Sequence, residues 1–288
     1  MSPSKKLSII EKLFFDKWNA QTQSFKGSPI VTLKEIGDAI RWHNKQNPDD
    51  KLSDRNPANF FKDFIRNRAS ANANWPQSVW QEKYTARQTT GGGNVFEFIK
   101  APTDQSEPFP SFVHTYPRDP NAPRHSLQSV SLPILARLFG QQHETWLTQV
   151  AVQLYLIETH LAFQSDEFLH VSHLQSGIKQ ANTEIDALYL GEKHNGDELV
   201  ITVEAKGRRD DILEEQILAQ VHSVLRMPKL TGKKAVLPMA MKIIGTSLIY
   251  IVTYHEIPFK NPIPNALSGI ASEAIYELRP PVPGILCL

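Results

Sequence analysis

The run Leu199-Val-Ile-Thr-Val-Glu-Ala-Lys206 constrains this chain more than any other stretch. It is apolar enough for a buried strand, yet it carries Glu204 and Lys206. The two-residue period of a strand puts Val200, Thr202, Glu204 and Lys206 on one face and Ile201, Val203 and Ala205 on the other. Burying a carboxylate and an ammonium is costly unless they pair or hold a metal. A second apolar strand, residues 184–190, carries Asp186, and Asn195-Gly196 between the two reads as a hairpin turn. Pairing about that turn sets Asp186 opposite the region of Glu204 and Lys206. The placement of Asp186 depends on register, because a slip of one residue turns a side chain to the other face.

The flanking pattern supplies the layers that cover such strands. Residues 144–163 predict a long helix through Trp146, Leu147, Val150, Leu154, Ile157 and Leu161. Residues 210–226 predict another, with Pro228 as its stop, and 236–244 and 247–254 read as apolar strands. The alternation implies an α/β (α+β) architecture, a mixed sheet flanked by helices. Between 101 and 125 lie Pro102, Pro108, Pro110, Pro117, Pro120 and Pro123. Proline removes backbone donors, so this stretch reads as a linker or strap between a unit over 1–100 and one over 126–288.

Charge divides the same way. Residues 1–100 hold 16 Lys+Arg against 10 Asp+Glu, and the remainder holds 15 against 20. A basic N-terminal third suits a polyanionic partner. Its pattern begins with a helix over 9–18. Thr32 with Glu35 reads as a capping box, opening a helix whose apolar positions are Leu33, Ile36, Ile40 and Trp42 and which stops at Asn47-Pro48. A second helix over 56–69, with Pro57 in its first turn, turns Phe60, Phe61, Phe64 and Ile65 inward. Strands over 79–89 and 94–100 follow, joined by Thr90-Gly91-Gly92-Gly93.

Helix, helix and glycine-tipped hairpin resemble a winged helix-turn-helix. That resemblance implies a helix in the major groove, carrying Asn59, Lys62, Arg66 and Arg68, and a wing along the backbone, carrying Lys83, Arg87 and Gln88. Arg and Asn can read base edges, and Lys neutralises phosphate. A protein-interaction module is the alternative for so small a unit.

In the second unit, two carboxylates and a backbone carbonyl are hard oxygen donors suited to Mg²⁺, and an adjacent lysine can orient or deprotonate water. Asp186, then seventeen residues, then Glu204-Ala205-Lys206 resembles the PD-(D/E)XK nuclease superfamily over roughly residues 140–255. The resemblance implies Asp186, Glu204 and the Ala205 carbonyl as metal ligands and Lys206 as the catalytic lysine. Ile185 stands where that pattern has proline. Glu184, two residues from Asp186 on the same face, is an additional candidate ligand. Glu144 and Glu158 are the candidates for an assisting helix carboxylate, and Gln216 and Gln220 for supporting polar groups. A nuclease core with a DNA-reading module at this length resembles a type II restriction endonuclease. It implies Mg²⁺-dependent hydrolysis of double-stranded DNA at a short site, a homodimer matching a palindrome, and a cognate DNA methyltransferase. Other nucleases of the superfamily, acting in repair, junction resolution or mobile elements, and a non-catalytic DNA-binding regulator are the competing expectations.

Other features carry less. Cys287 is the lone cysteine, which excludes a disulfide framework and suits a reducing cytoplasm. No apolar run reaches the roughly 18 residues of a membrane span. His143, His160, His170, His173 and His194 read as ordinary polar or core histidines. Gly91-Gly92-Gly93 lacks the following lysine of a phosphate-binding loop.

Overall fold

The computed structural model describes residues 5–288 apart from 62–63, 65–67, 90–92, 110–114, 139, 141–143, 181–182, 209, 260–263, 265 and 286–288. The chain forms two compact units, Met1–Val113 and His114–Leu288. No helix among the described residues is long and apolar enough to cross a membrane.

The first unit opens with α1 (Lys6–Lys17), which buries Ile9, Ile10, Leu13 and Phe14 on one face. A short hairpin follows, β1 (Trp18–Asn19) with β2 (Ser24–Phe25), and then β3 (Ile30–Thr32). The Thr32 side chain accepts from Glu35 N–H, and Glu35 reaches back to Thr32 N–H, so α2 (Leu33–Gln46) starts on the expected capping box. Its buried face is Ile36, Ala39, Ile40 and His43. Trp42 is partly exposed and lies under the Lys12 ammonium, so His43 takes the inward position expected of Trp42.

Of the expected helix over 56–69, Pro57–Asn59 form a 3-10 turn, Phe64 is helical and α3 (Arg68–Ala73) follows; residues 62–63 and 65–67 between them lie outside the described residues. The expected strand over 79–89 is corrected. Pro76 precedes a short helix, α4 (Gln77–Gln81), which buries Val79. Lys83 then turns the chain with φ of +60°, and β4 (Tyr84–Gln88) starts only after it. β4 pairs with β5 (Asn94–Lys100), and β5 with β3, giving the sheet order β3-β5-β4. Phe61, Phe64, Trp75, Phe96 and Phe98 fill the core between sheet and helices. Each such burial contributes about 1.5–3 kcal/mol.

The proline-rich stretch does not hang free. Phe109 is buried in the first unit, where its backbone N–H and C=O both bond the Asn72 amide. Beyond the boundary, Arg118 and Asp119 backbone N–H groups bond Glu273. The strand β6 (Arg124–Gln128) already belongs to the second unit's sheet.

The second unit continues with α5 (Ile134–Leu138), α6 (Glu144–Gln153) and α7 (Leu156–Gln164). The single helix expected over 144–163 is thus two, broken where Tyr155 adopts φ of +52°. Then come β7 (Phe168–Gln180), β8 (Thr183–Lys193), β9 (Glu198–Lys206), α8 (Glu214–Leu225), β10 (Ala235–Gly245), β11 (Leu248–Tyr254), β12 (Ile257–Pro258) and β13 (Ile270–Arg279). The sheet runs β6-β13-β11-β10-β9-β8-β7 and is mixed: β9 with β10 and β13 with β6 are parallel, the other neighbours antiparallel.

Helices cover both faces. Ile201, Val203 and Ala205 pack with Leu147, Val150, Ile157 and Leu161 of α6 and α7. Val200 and Val236 pack with Val221 and Val224 of α8. The expected alternation along β9 therefore sorts its side chains between two helical layers, with Glu204 and Lys206 on the α8 face.

Candidate active site

The β8–β9 ladder pairs Glu192 with Glu198, Leu188 with Thr202 and Ala187 with Val203. That antiparallel register carries on to set Asp186 across from Glu204. The pairing itself stops at Ala187, and the Asp186 side chain takes over: its Oδ2 accepts the Ala205 backbone N–H at 2.8 Å. Asp186 Oδ1 has no hydrogen-bond donor among the described residues.

Glu204 and Lys206 are both nearly buried, two residues apart on one face, and their side chains form an ion pair through Glu204 Oε1. Glu204 Oε2 accepts from Gln220 Nε2, which also donates to the Glu184 carbonyl at 3.1 Å. One α8 side chain therefore ties together the two strands that carry the carboxylates. Glu144, at the first position of α6, places Oε1 3.6 Å from Lys206 Nζ.

The electrostatics follow from burial. Desolvation pushes the Asp186 carboxyl up to about 6, against the opposing pull of the Ala205 N–H and Lys206. Desolvation likewise lifts Glu204 to about 7, with Lys206 opposing it and Asp186 adding to it. Burial alone would lower Lys206, but Glu204, Glu144 and Asp186 hold its ammonium above its ordinary value. Lys206 is thus held cationic, while burial favours the protonated forms of Asp186 and Glu204 against its pull.

The remaining residues separate clearly. Glu184 has an exposed side chain near enough to Asp186 to raise it, and its carbonyl rather than its carboxylate is tied into the site. Of the two helix glutamates, Glu144 reaches the site and Glu158 does not. Glu158 lies on α7 with a half-buried carboxyl lifted by desolvation, its charged neighbour being His170. Gln216, one turn before Gln220, buries Oε1 without a hydrogen-bond partner among the described residues and makes no bond to the triad.

In the first unit, Asn59 is exposed at the end of the 3-10 turn. Lys62 and Arg66 lie outside the described residues. Arg68 opens α3, and its side chain is not described. Lys83 sits in the turn before β4, not on a wing strand, with its ammonium over the Trp80 ring at 4.6 Å. Arg87 is exposed on β4 and paired with Glu97 of β5 at 2.8 Å, and Gln88 ends that strand.

Sequence reasoning missed Lys242. It is a buried lysine on β10, in register with Lys206 of β9. The signal was available, since a charge inside the apolar run 236–244 is the same anomaly that singled out Glu204 and Lys206.

Asp186 and Glu204 are hard oxygen donors held across from each other in largely buried surroundings, and such donors suit a divalent cation. Among the described residues no three His, Cys, Asp or Glu side chains converge as a ligand cluster, so the protein would supply two carboxylates and backbone oxygen. Compared with protein families, curated proteins and solved structures, the chain matches none.

Proposed function

We propose that this chain is a Mg²⁺-dependent endonuclease of the PD-(D/E)XK kind, hydrolysing phosphodiester bonds of double-stranded DNA. The observation that carries this reading is the register that sets Asp186 across from Glu204 with Lys206 beside them. The element order supports it: helix, three antiparallel strands, helix, and a strand parallel to the third.

Asp186, Glu204 and the Ala205 carbonyl would hold the ion. When bound, Mg²⁺ supplies Lewis-acid stabilisation of charge gathering on phosphate oxygens. The rest falls to side chains of this chain. Lys206, kept protonated by Glu204 and Glu144, acts as a donor to the attacking water or a phosphate oxygen and not as a base. Gln220 fixes the Glu204 carboxylate in one orientation. Water adds to phosphorus and releases its proton to solvent, the bond to the leaving oxygen breaks, and that oxygen takes a proton from solvent, leaving a phosphomonoester and a hydroxyl end.

We assign DNA capture to the first unit as a winged-helix-like module. The sheet order β3-β5-β4 behind α1 and α2, together with the net basic charge, supports that role. With cleavage in the second unit, the chain reads as a type II restriction endonuclease acting as a homodimer in the cytoplasm, with a cognate methyltransferase protecting host DNA.

Incubation of plasmid DNA with Mg²⁺ tests this directly. Discrete fragments support a site-specific enzyme, and a smear supports a nonspecific nuclease of the same fold. Absence of cleavage with both Mg²⁺ and Mn²⁺ sinks the nuclease reading, as does full cleavage by Asp186→Ala and Lys206→Ala variants.

A further inference from the structure

Lys242 is 5% exposed in the middle of the sheet, where an ammonium needs every N–H bonded. It has three, and three backbone carbonyls receive them: Gly207 O at 3.1 Å, Arg208 O at 2.9 Å and Asp210 O. Its Nζ also lies 5.2 Å from the centre of the Tyr116 ring, within cation–π range.

Three carbonyls drawn from four consecutive residues repel one another when they point at one spot. A cation between them relieves that repulsion and favours the loop conformation. The loop has a particular place. It begins one residue after Lys206 and leads into α8, whose Gln220 holds Glu204. The parallel register pairs Lys242 with Lys206 and Ala240 with Glu204, so the cage is anchored from the strand beside the triad. The two lysines are neighbours: Lys206 pairs with carboxylates, and Lys242 donates to carbonyls with the Asp210 and Asp211 charges near it.

We propose that the carbonyls of Gly207, Arg208 and Asp210 form a cation-binding cage with the Lys242 ammonium as its built-in occupant. Lys242 is then a positioning residue, locking the segment between the strand bearing Glu204–Lys206 and the helix bearing Gln220. The cage itself stands on geometry alone; its effect on cleavage rests on the nuclease reading of the adjacent site. The ligand class it accepts is a primary ammonium, whose three N–H groups match the three carbonyls.

The experiment is chemical rescue in the full-length protein. Lys242→Ala removes the side chain beyond Cβ, leaving room for a short alkylammonium ion. The variant is expected to melt several degrees below wild type. Ethylammonium chloride should recover most of that loss, while tetramethylammonium chloride at equal ionic strength, having no N–H, should not. Equal behaviour of the two salts overturns the cage. Cleavage with Mg²⁺ should fall at least tenfold in kcat with little change in KM and return with ethylammonium. Recovery of melting temperature without recovery of kcat overturns the positioning role. Rescue of melting temperature in a protein whose wild type never cleaves DNA leaves the cage intact and removes only the nuclease reading.

If Lys242→Ala does not fold, Lys242→Met keeps the aliphatic stem and is read by amide hydrogen exchange. Faster exchange confined to residues 207–213, with β9 and β10 unchanged, is the expected result. Wild-type exchange throughout overturns the proposal.

Discussion

Asp186 Oδ2 accepts the Ala205 backbone N–H at 2.8 Å, at the point where the β8–β9 ladder ends. The carboxylate thereby satisfies a buried strand donor as well as facing Glu204. The two tasks can be separated. Asp186→Asn keeps an oxygen for the Ala205 N–H but loses the charge, so it should fold normally. Its Mg²⁺-dependent cleavage should fall on the order of 100-fold or more. Asp186→Ala also orphans the donor and should cost an additional 1–3 kcal/mol or so in urea unfolding. Equal stability of the two variants would show that the hydrogen bond contributes nothing.

Protons and metal should compete at the site. Burial lifts Asp186 from 3.8 to about 6 and Glu204 from 4.5 to about 7. Between about pH 4 and pH 7 the folded protein therefore holds more protons on these groups than the unfolded chain. Their contribution to metal-free stability is present at low pH and lost as pH rises through that window. A divalent ion reverses the sign, because it binds only the deprotonated pair. Mg²⁺ should raise the melting temperature more at pH 8 than at pH 5. The increment should vanish in the Asp186→Asn/Glu204→Gln double variant. A Mg²⁺ shift independent of pH would argue against these ligands.

His160 predicts a dependence of opposite sign. It is buried between α7 and the sheet, its ring nitrogens 3.1 Å from Tyr276 Oη and 3.0 Å from Thr253 Oγ1. Desolvation, with His125 adding to it, pushes it down to about 3 from 6.5. The unfolded chain binds the proton first, so stability present above pH 6.5 is lost as pH falls toward 3, by about 4 kcal/mol. His160→Gln should lower stability at pH 7 yet flatten its fall with acid. Urea midpoints from pH 4 to pH 7 give the slope, and an unchanged slope would remove His160 as its source.

Packing makes a separate prediction at Gly191 in β8. A Cβ there would lie 2.8 Å from the Phe168 ring and 3.1 Å from Ile201 Cδ1. Gly191→Ala should destabilise by about 1–3 kcal/mol through overpacking. Gly27→Ala, with open space around the added methyl, should change little. Thermal unfolding of the two variants side by side measures the difference.

For the first unit, DNA affinity should drop steeply with salt, and Lys62→Ala with Lys83→Ala should flatten the slope of log K against log salt. Arg87→Ala should change it less, because Glu97 already takes that charge. An unchanged slope in the lysine double variant would remove these residues from the phosphate contacts.

Much of the site was legible because its signal is an energetic anomaly. Charges at Asp186, Glu204 and Lys206 interrupt apolar strands, and the Asn195-Gly196 turn fixes which of them face each other. Glu144 and Glu158 could not be separated by sequence, because each lies on a helical segment and only the tertiary path brings α6's first residue to Lys206. The break at Tyr155 was invisible since Leu154, Ile157 and Leu161 keep helical spacing through it. Strand β7 was missed because a sheet-edge strand with mostly solvated residues shows no alternation. In β13, Ile-Ala-Ser-Glu-Ala-Ile-Tyr-Glu-Leu-Arg has good helix formers, and pairing with β11 and β6 overrides them. Strand β6 starts at the end of the proline-rich stretch, one residue after Pro123, where proline content argued for a linker.

The tight turn at Asn195-Gly196 has a practical consequence. Gly196, at φ of +83°, reverses the chain at the opposite end of β9 from Lys206, and at ~3.3 Å per residue that strand separates them by roughly 30 Å. A dye or a surface tether attached at this tip would sit well clear of the carboxylates while remaining rigidly joined to the strand that carries them. That makes the turn a natural handle for single-molecule or immobilised assays on an otherwise unaltered protein.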